Sequence, residues 1–316
     1  MSDRVVYVLA NDTVADWLIA LLNSIRKNLP GAVLRVIPFD GRIGRISSFT
    51  GEYGFTIFEH ESFSWLGEIG RRLELGRTPV GPNWFRRFAA FFGPEGTFFY
   101  VDARTLVLSD LSPGFESVNL GEVDLVHFGG DPNQVFENGP ARTGFAAAGR
   151  CFGFNSGRWI SRSGAFSREE MEAAADFCVA NRSQMNPRNT DQFFLNVLCS
   201  RSTARVVNLA DLDGRFERDP WAFAHGQVFD RDGDVRVWAH GAMSHGRTLP
   251  LVHWAGIGLS SSMPLRRLWN EYRHDGILPL RVRLEGFTSL PARIGNRARR
   301  SMFARRFISP RNAGLK

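Results

Sequence analysis

Lysine is almost missing from this sequence. Of 316 residues only Lys27 and Lys316 are lysine, so nearly all the positive charge is arginine. Phosphate held by a lysine ammonium is therefore confined to two places in the chain. Cysteine is also scarce. Cys151, Cys178 and Cys199 are odd in number and widely spaced, which excludes a disulfide framework and a thiolate metal site. Reduced, buried thiols in a cytoplasmic protein are expected. No apolar run reaches eighteen residues, so no transmembrane helix is expected. The opening "MSDRVVYVLAND" lacks the long apolar region and small-residue cleavage site of a secretory leader. Internal repeats are absent, and no closely spaced pair of carboxylates reads as an acid–base couple. Asp131, Asp213, Glu217 and Asp219 lie in polar loops and are the loose candidates for a general base.

What is present is unevenly charged. The chain carries +7, but Arg281 to Lys316 holds nine Arg, one Lys and one Glu, a net +9. The remaining body is at −2. A nucleic-acid-binding fold would spread its basic footprint over the body, so that class is excluded. Two regions are expected: a folded domain over 1–280 and a basic extension over 281–316. The extension interleaves Arg with Leu, Ile, Phe and Met. Docking on an anionic membrane surface is expected of it, with a solvated tail as the alternative.

The first third alternates strand and helix. "RVVYVLA" is a short β-branched run suited to a buried parallel strand. Val14, Trp17, Leu18, Leu21, Leu22 and Ile25 then recur at helical spacing, and "LPG" ends the helix. "AVLRVIPFD" closes a βαβ unit. "GFTIFEH" is a third strand. "FSWLGEIGRRLEL" and "NWFRRFAAFFGP" read as helices, and "GTFFYVDA" as a strand buried on both faces. Such alternation predicts an α/β fold with ligands at the carboxyl ends of the strands. Further on, Asp131 to Arg150 reads as a long loop. "SREEMEAAADFCVANR" is a helix opened by a capping box, and "NTDQFFLNVLCS" is a second helix. "VDLVHFGG", "ARVVNLA" and "VRVWAHG" are candidate strands.

Six short stretches fall at the ends of these elements. They are Ala10-Asn11-Asp12, Arg86-Arg87, Asp102-Ala103-Arg104, "FNSG" from Phe154 to Gly157, "NTDQ" from Asn189 to Gln192, and "HWAG" from His253 to Gly256. In this order they resemble the GT-A sugar-nucleotide transferases, most closely glycosyltransferase family 8. The likeness covers roughly residues 4 to 258. It implies a Rossmann-like, mostly parallel sheet flanked by helices. It also implies transfer of a sugar from a UDP- or GDP-sugar to a saccharide or glycolipid acceptor, as in lipopolysaccharide or exopolysaccharide synthesis. The expected outcome is retention of configuration. A nucleotide-sugar-binding protein without transferase activity is the alternative.

The resemblance implies roles residue by residue. Ala10, Asn11, Asp12, Arg87, Asp102, Ala103, Asn155, Ser156, His253 and Gly256 would line the donor site. Asp191 and Gln192, at a helix start, would face the reacting sugar. Read without the resemblance, Arg87 beside Arg86 is a solvated helix face, Asn155 an Asn-Ser-Gly turn residue, Asp191 a helix-start acid, and His253 a packing residue.

One departure stands out. In the family the second acid of Asp-x-Asp and the His hold a divalent ion, Mn2+ or Mg2+. Here the second acid is Arg104, so at most Asp102 and His253 remain as ligands. A guanidinium is charged at any working pH and cannot ligate a cation. Replacing a carboxylate by Arg104 shifts the site by about two charges toward positive and offers a bidentate partner to phosphate. The expectation is a metal-independent enzyme in which Arg104 takes the ion's part. The family's phosphate-gripping Lys falls on Leu259; Arg247, Arg266 or Arg267 are its candidate replacements.

Overall fold

The structure, a computed structural model, describes residues 4–73, 81–94, 96–184, 186, 190–218, 221–222, 228–232, 234–238, 247–260 and 262–274. The basic stretch 281–316 lies outside the described residues, as do the base candidate Asp219 and Asn189.

Seven strands form one sheet in the order β3-β2-β1-β4-β7-β6-β8. They are β1 (Val5–Ala10), β2 (Val33–Pro38), β3 (Phe55–Ile57), β4 (Thr97–Asp102), β6 (Leu125–His127), β7 (Arg158–Arg162) and β8 (Val206–Asn208). Only β7 runs against the others. The β-branched run of β1 is buried along its whole length, as a parallel strand covered on both faces must be. Helix Ala15–Asn28 joins β1 to β2. Of its expected apolar stripe, Trp17, Leu18, Leu21, Leu22 and Ile25 are buried, while Val14 lies in the 3-10 turn before it; Ile19, Ala20, Asn23 and Ser24 on the other face are buried too. Helix Arg266–Arg273 packs on that face, where Asn23 Nδ2 donates to the Tyr272 carbonyl (2.8 Å), and its Trp269 ring lies 5.5 Å from that of Trp17.

The chain leaves β1 in one direction to β2 and later in the other to β4. Ligands of open α/β sheets bind at such a reversal, beyond the carboxyl ends of the strands. Leu9 of β1 lies opposite Asp102 of β4, and Ala10 opposite Pro38 of β2. A separate antiparallel pair, β5 (Thr105–Val107) with β11 (Leu251–His253), sets His253 against Thr105 beside the same edge.

Two elements differ from expectation. Residues Pro82–Phe92 form a 3-10 helix, not an α-helix. Phe85, Phe88 and Phe91 recur at three, and all are buried; side chains three apart eclipse in that geometry. The segment 131–150 contains a helix, Pro140–Ala147, and a 3-10 turn, Pro132–Gln134, where a loop was expected. The capping box is present: Glu170 N–H donates to Ser167 Oγ (3.2 Å) and Ser167 N–H to Glu170 Oε2 (2.8 Å).

Aromatic packing fixes β4 against β7 under the site. Trp159 of β7 stacks on Phe91 (4.6 Å, 10°) and on Tyr100 of β4 (5.2 Å). Each ring of this size withdrawn from water contributes about 1.5–3 kcal/mol. The carboxyl end of β4, where Asp102 stands, therefore rests on a rigid base.

Candidate active site

A cavity of about 350 Å³ opens at the carboxyl ends of β1, β2 and β4. Ala10 and Asn11 form its wall after β1; Asp102, Ala103 and Arg104 form the wall after β4. Asn155 and Ser156 enter from the turn before β7, and Asp191 and Gln192 from the start of helix Thr190–Arg201. His253 and Gly256 close the remaining side. Asp12 is the exception among the expected donor-site residues, and it is not on the lining. Its carboxylate accepts the Ile46 N–H (3.0 Å) and so pins the next loop.

Arg87 is the hub. It is 1% exposed and not a solvated face. Its Nη1 lies 3.0 Å from Asp191 Oδ2 and donates to Ser156 Oγ (2.9 Å). Nη2 lies 3.5 Å from Asp102 Oδ1, and Nε donates to the Trp84 carbonyl (3.1 Å). Burial alone would lower its pKa, but the carboxylates of Asp102 and Asp191 outweigh burial and hold it above the ordinary arginine range. Both acids of the cavity are thus tied to one cation. Tyr100 Oη also donates to Asp102 Oδ1 (2.7 Å), and Ser156 Oγ to Asp191 Oδ2 (2.6 Å).

Asn155 serves as a turn residue and a positioning group together. Its Oδ1 accepts the Gly157 N–H (2.8 Å), and its Nδ2 donates to Gln192 Oε1 (3.0 Å). Gln192, held in this way by its oxygen, lines the cavity. Asn196, one turn on, is fully buried and bonds both backbone groups of Phe154 (3.1 and 2.8 Å). It locks the "FNSG" turn to the helix, a role no short motif declared.

Arg104 is half-buried, and among the described residues its side chain makes no hydrogen bond or ion pair. Burial lowers its pKa, partly opposed by Asp102; an arginine so placed still stays cationic. His253 is 1% exposed, and its Nδ1 meets Thr105 Oγ1 at 2.9 Å. Burial first, then Arg158, Arg87 and Arg104, press its pKa well below the ordinary value, so the ring is neutral.

These residues do not fit a divalent ion. Asp102 and His253 are present, but a guanidinium stands where the third ligand would be. Among the described residues no three His, Cys, Asp or Glu side chains gather about a common point. The loose base candidates Asp131, Asp213 and Glu217 are not on the cavity lining, and neither are Arg247 and Arg266. Among the lining side chains that escaped the sequence reading are Phe39, Arg42 and Trp84. The first two sit on the loop after β2, which carries no recognisable motif.

No family model and no curated protein matches the sequence. Solved structures do match the fold. A galactosyltransferase LgtC complex with donor and acceptor sugar analogs superposes with a TM-score of 0.55 at 15% identity, over 89% of this chain and 99% of that one. The chain has the GT-A fold. An active-site mutant of LgtC gives a TM-score of 0.58 at 14% identity, over 88% of this chain and 99% of that one. Glycosyltransferase GlyE from Streptococcus pneumoniae TIGR4, in its apo form, gives 0.50 at 16% identity, over 91% of this chain and 64% of that one. The cavity of this chain lies at the β1/β4 reversal, where open α/β sheets bind their ligands.

Proposed function

We propose that the protein transfers a sugar from a nucleoside diphosphate sugar to a saccharide or glycolipid acceptor, with retention and without a metal ion. The observation that carries this reading is Arg104: a guanidinium lining a GT-A crevice, unengaged among the described residues, at the second acid of an Asp-x-Asp pattern. Arg87 is spent on Asp102 and Asp191, which leaves Arg104 available for the diphosphate. As the bond from the sugar's anomeric carbon to the diphosphate oxygen breaks, negative charge builds on that oxygen. A pre-placed cation stabilises it without reorganisation.

Retention follows from the state of the carboxylates. Neither Asp102 nor Asp191 is free to act as a base, since each is held by Arg87 and by a hydroxyl donor. In the proposed step the acceptor oxygen bonds the anomeric carbon on the face the diphosphate leaves. The acceptor proton passes to the departing diphosphate oxygen. In this reading the Gln192 amide nitrogen faces the exchange; the Asn155 bond to its oxygen supports that role. His253, neutral and buried, presents a nitrogen from the opposite wall.

Addition of UDP- or GDP-sugars should raise the melting temperature, and incubation with acceptor glycans should release the nucleoside diphosphate. A rise in melting temperature with no release on any acceptor favours a binding protein. No rise with any nucleotide sugar overturns the reading.

A further inference from the structure

The loop after β2 brings an arginine to the donor crevice that no motif predicts. Arg42 lines the same cavity as Arg104 but from the far side. Its place is fixed twice. The Asp40 carboxylate takes Arg42 Nε (3.0 Å) and Nη2 (2.6 Å) along one edge of the guanidinium. The same carboxylate accepts the Arg42 backbone N–H (3.0 Å). Asp40 is itself anchored to β1, because Asn11 Nδ2 donates to it (3.0 Å). Asp12 N–H in turn donates to the Arg42 carbonyl (2.8 Å). The two loops form one stitched rim.

Asp40 occupies the side edge of the guanidinium. The end-on edge, with one hydrogen each from Nη1 and Nη2, has no partner among the described residues. Asn11 gives one Nδ2 hydrogen to Asp40, and its Oδ1 accepts from Thr13. At this end of the cavity Arg42 is the charged side chain with spare donors.

Distance says which part of a donor it meets. The ends of β2 and β4 are separated by β1, two strand spacings or roughly 10 Å. A diphosphate at Arg104 puts the nucleoside toward β2. Flat walls wait there: Phe39 and Trp84 line the cavity edge-to-face, 5.3 Å apart.

Building on the sugar-transfer reading above, we infer that Arg42 reads the donor's nucleobase, donating to a ring carbonyl and so selecting an oxo base over its amino counterpart. Uracil carries a carbonyl where cytosine carries an amine, at C4; guanine carries a carbonyl where adenine carries an amine, at C6, and has a 2-amino group besides. An arginine bonds the carbonyl; against the amine, two donors face each other and neither is satisfied. The shared chemistry is a carbonyl-bearing base, and the test separates uracil from guanine.

Dissociation constants for UDP, CDP, GDP and ADP, measured by calorimetry on the full chain, decide the matter. Wild type should favour one oxo nucleotide over its amino counterpart by roughly ten- to hundredfold, the factor a charge-assisted hydrogen bond supplies. Arg42→Ala should bring that ratio to within about twofold. Arg42→Lys, which keeps the charge but not the planar fork, should also lose most of it. Arg42 is largely exposed, its side chain at 66%, so neither variant threatens folding. Equal discrimination by wild type and Arg42→Ala overturns the role of Arg42 and leaves sugar transfer standing. So does a wild type that binds all four alike. A wild type that binds none of the four overturns both.

Discussion

At the scale of single residues, the site depends on how three guanidiniums are spent. Arg87 neutralises two carboxylates from a buried position. Removing it leaves Asp102 and Asp191 facing each other without a counter-charge, and breaking a buried pair in this way costs about 3–5 kcal/mol. Arg87→Met should therefore lower the free energy of unfolding, read from urea titration, by an amount of that order, and Arg87→Lys should recover little of it. Arg104 makes no such contacts among the described residues, so Arg104→Ala should leave the unfolding midpoint near wild type. Its kcat should fall roughly 10²–10³-fold, as when one pre-placed oxyanion partner is lost. A stability loss with unchanged kcat would show Arg104 to be structural. Legibility at this scale was mixed. Asp102, Arg104, Asn155 and His253 carry their own patterns. Asp12 was grouped with its neighbours, but its carboxylate turns to the Ile46 N–H because the β1 loop needs a tie to the next loop. Arg42 and Phe39 were invisible because strand pairing, not local sequence, brings their loop to the cavity.

Among elements, the turn before β7 is the tightest fit. Asp102 N–H donates to the Gly157 carbonyl (2.7 Å), and a Cβ at Gly157 would lie 2.3 Å from Asp102 Oδ2 and 2.8 Å from Asn155 Oδ1. Gly157→Ala should displace both side chains. Nucleotide affinity should drop at least tenfold, with the far-ultraviolet circular dichroism spectrum unchanged. The capping box gives a contrasting case. Ser167→Ala should cost about 1 kcal/mol of stability, and turnover should stay at wild-type level because that helix start does not border the cavity. The first βαβ unit was readable because its apolar period is long and unbroken. Helix Pro140–Ala147 was not, because it buries no residue and so leaves no period in the sequence. The phenylalanines at 85, 88 and 91 had a period of three in plain view, and the 3-10 helix is its outcome.

For the molecule as a whole, acid should loosen the fold before it reaches the carboxylates. His127 is packed face-on against Phe154 (4.7 Å, 17°). Its Nδ1 meets the Gly129 carbonyl at 3.0 Å, and since a carbonyl only accepts, the neutral ring carries its proton on Nδ1. Burial pushes its pKa down to about 4, with the Gly129 bond only partly opposing. The unfolded chain, with an ordinary histidine near 6.5, binds the proton more readily. The stabilisation is therefore complete above about pH 6.5 and is lost as pH falls from there toward 4, by at most about 3 kcal/mol. The buried neutral ring of His253 acts in the same direction. His127→Phe should flatten the fall of melting temperature over that window; an unchanged slope would assign it elsewhere. The fold class was legible at this scale, since strand–helix alternation dictates an α/β sheet. The role of the basic stretch 281–316 stays a proposal: deletion of it should abolish pelleting with anionic liposomes while nucleotide binding persists.

The most direct test of a guanidinium in place of a metal ion is nucleoside diphosphate release from a turned-over donor sugar, followed in excess chelator and then with added Mn2+ or Mg2+. Wild type should run at the same rate in all three conditions, and Arg104→Ala should be slow in all three. A wild-type rate that collapses with chelator and returns with either ion would contradict the account.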